Sequence, residues 1–225
     1  MIAVAIDGPA GAGKSTVARR AAQALGYIYV DTGAMYRAIG YAMTEKGVDL
    51  SDPDAIAENL QGLTIRLGFE EENGQLCQHV YCGNEDVSGK IRTPEISLAA
   101  SKVSAVPAVR SFLLQLQKDM AKTQNVLMDG RDIGTVVLPD AQVKVFLTAS
   151  SEVRARRRCR ELEEKGTPQS YEEVLRDVEL RDYQDSHRAY APLKQAEDAV
   201  LIDTTHLTAE EAAEQITSAV LAKEA

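Results

Sequence analysis

The chain has 225 residues, with 25 Lys and Arg against 34 Asp and Glu, and a formal net charge of −9 at pH 7. This length is enough for one sizeable core with a small inserted subdomain, and the composition, 44% hydrophobic and 26% charged, is typical of an ordinary globular protein. The acidic balance, with only 5% aromatic residues and no Trp, argues against broad nucleic-acid binding, which needs a basic surface or aromatic stacking.

The first residues, MIAVAIDGPAG, contain no basic segment, and their apolar run ends at Asp7, too early for a signal peptide. No stretch approaches the ~20 apolar residues of a membrane span. Three cysteines give no disulfide framework, so we expect a reduced, cytoplasmic protein. In a strand, Cys77 and His79 would share one face while Cys82 points the other way, so we expect packing there rather than a zinc site.

Five short apolar runs predict buried parallel strands, because each is apolar throughout rather than alternating. Four of them end in Asp, and open α/β sheets bind ligands outside the carboxyl ends of their strands. The polar ends of these strands are therefore the candidate site. The runs are IAVAID (2–7), YIYVD (27–31), NVLMD (125–129), VKVFLTA (143–149) and AVLID (199–203).

Helical segments separate these strands and predict an α/β fold, a doubly wound parallel sheet with crossover helices. A capping box at Ser170 and Glu173 predicts a further helix that runs until near Pro192. One region departs from this pattern, because residues 63–90 alternate apolar and polar positions and then turn at Asn73-Gly74, which predicts a small antiparallel insert. The other predicted helices cover residues 14–25, 34–46, 95–122 and 207–223.

The chemistry is indicated by a G-x-x-x-x-G-K-[ST] motif, which lies directly after the first strand and opens the first helix. That is the context required of a P-loop, whose backbone amides surround a phosphate chain. We expect Lys14 to reach the β- and γ-phosphates and Ser15 to hold Mg²⁺ through its hydroxyl. The predicted nucleotide-binding residues are Gly8, Pro9, Ala10, Gly11, Ala12, Gly13, Lys14, Ser15 and Thr16.

The use made of the triphosphate is suggested by arginines near the ends of the next strands. The chain lacks the N-K-x-D sequence of regulatory GTPases, whereas a small kinase needs a second anion site for its acceptor. Arg37 follows the second strand, and Arg131 with Asp132 follows the third, where such a site belongs. A small kinase is therefore favoured.

Residues 151–162 concentrate five arginines: Arg154, Arg156, Arg157, Arg158 and Arg160. A nucleic-acid patch, a solvated helix face and a lid over phosphate are the three interpretations. Residues 151–190 carry nine basic against ten acidic side chains, which weakens the nucleic-acid interpretation. We hypothesise a lid in which at least one of Arg154, Arg157 and Arg158 contacts the transferring phosphates, while the other arginines pair with nearby glutamates.

The segments IDGPAGAGKST, DTGAMYR, EDVSGKIRTPEI, DGRDIGTVVLPDA and DSHRAYAPL, in this order, resemble the bacterial cytidylate (CMP) kinases over essentially the whole chain. The resemblance implies a P-loop NTPase-type fold with five parallel strands, a monophosphate-binding insert and a helical lid. It also implies ATP as phosphoryl donor, Mg²⁺ as cofactor and CMP or dCMP as acceptor. Residue by residue, it places Arg37, Arg131 and Arg188 on the acceptor phosphate, Ser101, Arg110 and Asp132 on cytosine, Arg181 and Asp185 on the sugar, and Tyr36 and Thr32 in the pocket.

The resulting prediction is a single kinase domain whose core covers residues 1–62, 93–150 and 191–225, with the insert at 63–92 and the lid at 151–190. We assign catalysis to Lys14, Arg131 and the lid arginines Arg154, Arg157 and Arg158, and no general base. We expect a monomer that binds neither nucleic acid nor membranes. Two alternatives stay open: a kinase for another small acceptor such as UMP or shikimate, and a nucleotide-binding regulator that holds RNA.

Overall fold

A computed structural model describes residues 1–72, 74–164 and 166–224. The chain forms two compact units, one made of residues 1–29 and 124–225 and the other of residues 30–123. The strands are β1 (Ala3–Asp7), β2 (Ile28–Asp31), β3 (Ile65–Glu72), β4 (Gln75–Cys82), β5 (Glu85–Asp86), β6 (Val126–Gly130), β7 (Val143–Thr148) and β8 (Val200–Asp203). The helices are α1 (Lys14–Leu25), α2 (Thr32–Glu45), α3 (Pro53–Asn59), α4 (Pro94–Ser104), α5 (Pro107–Thr123), α6 (Ser151–Glu164), α7 (Tyr171–His187) and α8 (Ala209–Glu224).

The first unit is built on a five-stranded sheet with the order β2-β6-β1-β7-β8. β1 pairs in parallel with β6 and β7, and β7 pairs in parallel with β8. Val4, Ile6 and Leu127 are buried with the apolar faces of α1 and α8 in the core of this unit. The predicted doubly wound parallel sheet is confirmed, because these central strands are apolar enough to be covered by helices.

Two expectations about these elements were wrong. β8 is an edge strand, and its Val200 and Leu201 are 52% and 55% exposed, although the sequence predicted a strand buried on both faces. The single helix predicted over 95–122 is two helices, because α4 ends at Ser104 and Pro107 begins α5. Proline is favoured in the first turn of a helix, where its missing N–H has no intrahelical partner.

The second unit contains the predicted antiparallel insert. β3 and β4 pair from Ile65↔Cys82 to Glu72↔Gln75, and β5 adds a short third strand to β4. Asn73 of the predicted turn lies outside the described residues. His79 of β4 contacts Asp86 and Glu72 through its two ring nitrogens, at 2.7 and 3.0 Å.

α2 and α4 approach each other closely within the second unit at Gly40. A Cβ atom at this position would lie 2.9 Å from the backbone nitrogen of Ala100 and 3.1 Å from the carbonyl carbon of Ala99. Because real Cβ contacts are rarely this short, only glycine allows the two helices this separation. Ser101 follows Ala100 in α4 and therefore lies next to this close contact with α2.

α6 and α7 form a helical hairpin in the first unit with a small apolar cluster of their own, which includes Ala155, Leu162 and Val174. The capping box of Ser170 and Glu173 is confirmed at the start of α7. α7 ends at His187, earlier than predicted, so Arg188 lies just beyond the helix. Throughout the described part of the chain, every helix falls short of the length or hydropathy that a membrane-spanning helix needs.

Candidate functional site

The loop of residues 8–13 connects β1 to α1, and its backbone conformation needs glycine at positions 8, 11 and 13. Gly8 has φ +149°, and a Cβ atom there would lie 1.9 Å from the carbonyl oxygen of Leu147. Gly13, with φ +89°, is the N-cap residue of α1, and it has no side chain that could cap the amides of this helix end. An uncapped helix N-terminus offers N–H groups and a positive dipole end, which together suit an anion.

Lys14 is 6% exposed, and its Nζ donates to the carbonyl oxygen of Pro9 at 2.7 Å. Burial, together with the nearby charge of Arg131, lowers the pKa of Lys14 to about 7, although Asp129 and Asp185 oppose this shift. A phosphate beside the ammonium would favour the charged form. The side chain therefore suits an anionic ligand in a site shielded from water.

Ser15, in the first turn of α1, and Asp129, near the carboxyl end of β6, form a pair of hard oxygen ligands. Ser15 Oγ donates to Asp129 Oδ2 at 2.9 Å, and the hydroxyl of Tyr29 donates to Asp129 Oδ1 at 3.2 Å. Hydroxyl and carboxylate oxygens are the donors that Mg²⁺ prefers, so these residues fit that cation. Sequence reasoning assigned Asp129 no role, although its place at the end of an apolar strand was noted.

Asp7 is a second residue whose role sequence reasoning missed. Its carboxylate accepts hydrogen bonds from the backbone N–H groups of Ile133 and Gly134, both at 2.7 Å, and it is 3% exposed. Burial raises the pKa of Asp7 to about 6, although these two bonds act in the opposite direction. By binding the start of the π-helical segment Ile133–Val137, Asp7 fixes the turn that carries Arg131 and Asp132.

An arginine cluster surrounds Asp185 in the same unit. Arg131 Nε donates to Asp185 Oδ2 at 2.8 Å, and Arg188 Nη1 lies 3.9 Å from Asp185 Oδ1. Burial alone would raise the pKa of Asp185, but the charges of Arg131, Arg181 and Arg188 hold it below its ordinary value. Arg188 Nη2 also lies 3.5 Å from Asp132 Oδ1. The structure thus brings together five residues that the resemblance assigns to the acceptor.

The three arginines of the predicted lid that we expect to act in catalysis have different surroundings. Arg154 is 4% exposed and pairs through both terminal nitrogens with Asp182. Arg157 donates to the carbonyl oxygen of Thr204 at 2.8 Å, whereas Arg158 pairs with Glu161 at 3.0 Å on a more exposed face. Ser150 Oγ accepts from the N–H of Val153 at 3.3 Å and so caps the start of α6.

The second unit holds the other predicted acceptor residues. Arg37 Nη2 donates to Asp31 Oδ2 at 2.7 Å, and Asp31 Oδ1 also caps α2 by accepting from the N–H of Ala34. Arg37 Nε is buried and makes no hydrogen bond within the described part of the chain. Thr32 is buried in the first turn of the same helix. A buried guanidinium nitrogen that still lacks an acceptor suits an anionic ligand.

Tyr36, Ser101 and Arg110 lie on α2, α4 and α5 of this second unit. The guanidinium carbon of Arg110 lies 5.3 Å from the centre of the Tyr36 ring, within the range of a cation–π contact. Arg110 Nη1 donates to the carbonyl oxygen of Ser104 at 3.1 Å, one helical turn beyond Ser101. Arg110, 5% exposed, is therefore held in one orientation beside an aromatic ring.

A family model described as Cytidylate kinase matches residues 4–222. The cytidylate kinase of Lactobacillus johnsonii is 50% identical over 224 residues, covering 100% of this chain and 96% of the relative. That of Caldanaerobacter subterraneus is 51% identical over 219 residues, covering 97% and 94%. Among solved structures, an uncharacterized protein from Eubacterium ventriosum aligns with a TM-score of 0.53 at 11% identity, covering 97% of both chains, which is a likeness of fold alone.

Proposed function

Because the chain belongs to the cytidylate kinase family, we propose that it transfers the γ-phosphate of ATP to CMP or dCMP, giving ADP and CDP or dCDP. The observation that carries this proposal is that Lys14 and Arg131, two groups that suit anions, lie near each other in one unit. The charge of Arg131 lowers the pKa of Lys14 in the P-loop, and the charge of Asp185, which binds Arg131, raises it. One group suits the donor phosphates and the other suits an acceptor phosphate.

For the donor, we assign ATP to the loop and first turn at residues 8–16, with its phosphates on the amides of α1 and on Lys14. Ser15 and Asp129 would hold Mg²⁺ in this assignment. The cation would neutralise charge on the donor's phosphate oxygens. Burial keeps water away from this region, which strengthens the interaction of Lys14 with phosphate and limits hydrolysis of ATP.

For the acceptor, we propose the roles that the resemblance implies. Arg37, Arg131 and Arg188 are assigned to the phosphate. Arg181 and Asp185 are assigned to the sugar, and Ser101, Arg110 and Asp132 to the cytosine edge, with Tyr36 and Thr32 beside them. The orphan nitrogen of Arg37 supports its part in this assignment.

The reaction needs in-line positioning and charge neutralisation more than a covalent nucleophile. The acceptor phosphate oxygen attacks the γ-phosphorus while the bond to the β-phosphate oxygen breaks, so no protein group has to form a covalent intermediate. Lys14 and the arginines stabilise the migrating phosphoryl group. We further propose that the enzyme acts in pyrimidine nucleotide metabolism as a cytoplasmic monomer.

ADP release, measured in a coupled assay with ATP and Mg²⁺, tests the proposal. We expect release that depends on CMP or dCMP, and little release with AMP, with shikimate or without any acceptor. Release with shikimate alone would indicate a kinase of another class. ATP binding without release under any of these conditions would favour the nucleotide-binding regulator, and either result would contradict the proposal.

A further inference from the structure

Two carbonyl oxygens of the P-loop accept hydrogen bonds from side chains outside the loop. Arg154 Nη1 of α6 donates to the carbonyl oxygen of Ala10 at 3.1 Å. Thr204 Oγ1 lies 3.1 Å from the carbonyl oxygen of Ala12, and Arg157 Nη1 approaches that oxygen at 3.4 Å. All these residues belong to the first unit, so α6 and the end of β8 determine how the loop is oriented.

Hydrogen bonds use four of the five N–H groups of the Arg154 guanidinium group. Nε donates to the carbonyl oxygen of Ala149 at 2.9 Å, and Nη1 and Nη2 donate to the two carboxylate oxygens of Asp182 at 2.9 and 2.5 Å. Its Cβ lies so close to the loop that a Cβ at Gly11 would be only 3.2 Å away. These four N–H groups could contact a phosphate only if their present bonds were broken.

The planarity of the peptide bond turns these contacts into a constraint on the amides. In a trans peptide, the carbonyl oxygen of one residue and the N–H of the next point in opposite directions. Holding the oxygen of Ala10 therefore directs the N–H of Gly11 away from Arg154. Holding the oxygen of Ala12 directs the N–H of Gly13 away from Thr204. These are the amides that a P-loop presents to phosphate.

We propose that Arg154, held by Asp182, is a positioning residue that orients the Gly11 amide for the triphosphate, and that Thr204 has the equivalent role for Gly13. The proposal rests on the proposed use of ATP and deepens it. It removes Arg154 from the arginines that contact the transferring phosphates, and leaves the lid hypothesis to Arg157 and Arg158. In this proposal, the main role of α6 is to support the P-loop.

The test compares Arg154→Lys, Asp182→Asn and Thr204→Val with the matched control Arg160→Lys, which changes an exposed arginine of the same helix. Lysine keeps the charge of Arg154 but cannot bind Asp182 and the Ala10 oxygen in the same planar arrangement. Calorimetry gives the Kd of ATP and of CMP. NMR of the ligand-free protein gives the Gly11 and Gly13 amide resonances, which respond to hydrogen bonding at the preceding carbonyl.

We expect Arg154→Lys to raise the Kd of ATP about ten-fold, as for one weakened charged hydrogen bond, and to leave that of CMP within about two-fold. It should shift the Gly11 resonance and not that of Gly13, while Thr204→Val does the reverse. Asp182→Asn should reproduce the Arg154→Lys pattern more weakly, which keeps the proposal testable if Arg154→Lys fails to fold. Arg160→Lys should match the wild type.

Three results would overturn the positioning role: an unchanged Gly11 resonance, equal shifts of both glycines in each variant, or a normal Kd of ATP with a large loss of kcat. The last would show that Arg154 contacts the transferring phosphates. CMP-dependent ADP release by the wild type tests the proposed function separately, because the ATP affinity and the amide resonances do not depend on the acceptor.

Discussion

Asp7 and Asp185 are both buried carboxylates in the first unit, and their surroundings shift their pKa values in opposite directions. Burial outweighs the two backbone hydrogen bonds of Asp7 and raises its pKa, whereas three arginine charges around Asp185 outweigh burial and lower its pKa. Asp185 thus stays ionised and holds Arg131 in place, while Asp7 shapes the backbone of the turn that precedes the π-helical segment. Asp185 therefore fixes the side chain of Arg131, and Asp7 fixes the backbone turn that carries this residue.

Replacing Arg131 with alanine should therefore affect the acceptor more than the donor. We expect Arg131→Ala to lower kcat/KM for CMP by roughly 10³-fold, because an arginine on transferring or acceptor phosphate contributes on that order in this chemistry. The Kd of ATP, measured by calorimetry, should change by less than about three-fold. A loss of ATP affinity as steep as the loss of activity would mean that Arg131 serves the donor.

The stability of the protein should depend on pH through Asp7. The pKa of Asp7 is about 6 in the folded state against an ordinary value of 3.8, so the folded state binds this proton more tightly. The resulting stabilisation is complete below pH 3.8 and is lost as the pH rises through 6. Asp7→Asn cannot ionise, so the wild type should gain about 1 kcal/mol of unfolding free energy relative to this variant between pH 7.5 and pH 5.

Urea unfolding of both proteins at the two pH values measures this difference, and the titration of groups that Asp7 does not influence cancels in the comparison. A difference that is independent of pH would show that Asp7 titrates near its ordinary pKa. A wild type that loses stability relative to Asp7→Asn on acidification would reverse the sign and contradict the account.

At the scale of the elements, β4 supports the start of α2 in the second unit. The side chain of Gln78 pairs with the backbone of Asp31: the N–H of Asp31 donates to Gln78 Oε1 at 2.9 Å, and Gln78 Nε2 donates to the carbonyl oxygen of Asp31 at 3.1 Å. Asp31 in turn caps α2 and binds Arg37. The insert is therefore coupled to a predicted phosphate-binding arginine.

We expect Gln78→Ala to raise the KM for CMP by about five- to ten-fold, because each lost hydrogen bond is worth about 1 kcal/mol and Asp31 becomes less well placed. The KM for ATP should stay within about two-fold. Gln115→Ala is the matched control, since Gln115 is exposed on α5 and donates to Asp119, one turn along the same helix. Equal KM values for CMP in the two variants would show that the pairing has no functional effect.

For the molecule as a whole, features encoded by neighbouring residues could be predicted from the sequence. The P-loop could be predicted because strand, glycines, Lys14 and helix follow one another directly, and the Ser170 cap because its partner is three residues away. The contact of Arg154 with Ala10 spans 144 residues and that of Asp7 with Gly134 spans 127, so no local pattern indicates them. The exposure of β8 was missed because an edge strand and a central strand can share one apolar pattern.

The most direct test of the central claim is the ratio of kcat/KM for CMP to that for UMP, measured with saturating ATP and Mg²⁺. Cytosine has a 4-amino donor where uracil has a 4-oxo acceptor, and the buried carboxylate of Asp132 can accept only from the former. A mispaired buried group costs about 1–3 kcal/mol, which corresponds to a ratio of roughly 10 or more in favour of CMP. Equal values of kcat/KM for the two nucleotides would contradict the assignment of this site to cytosine.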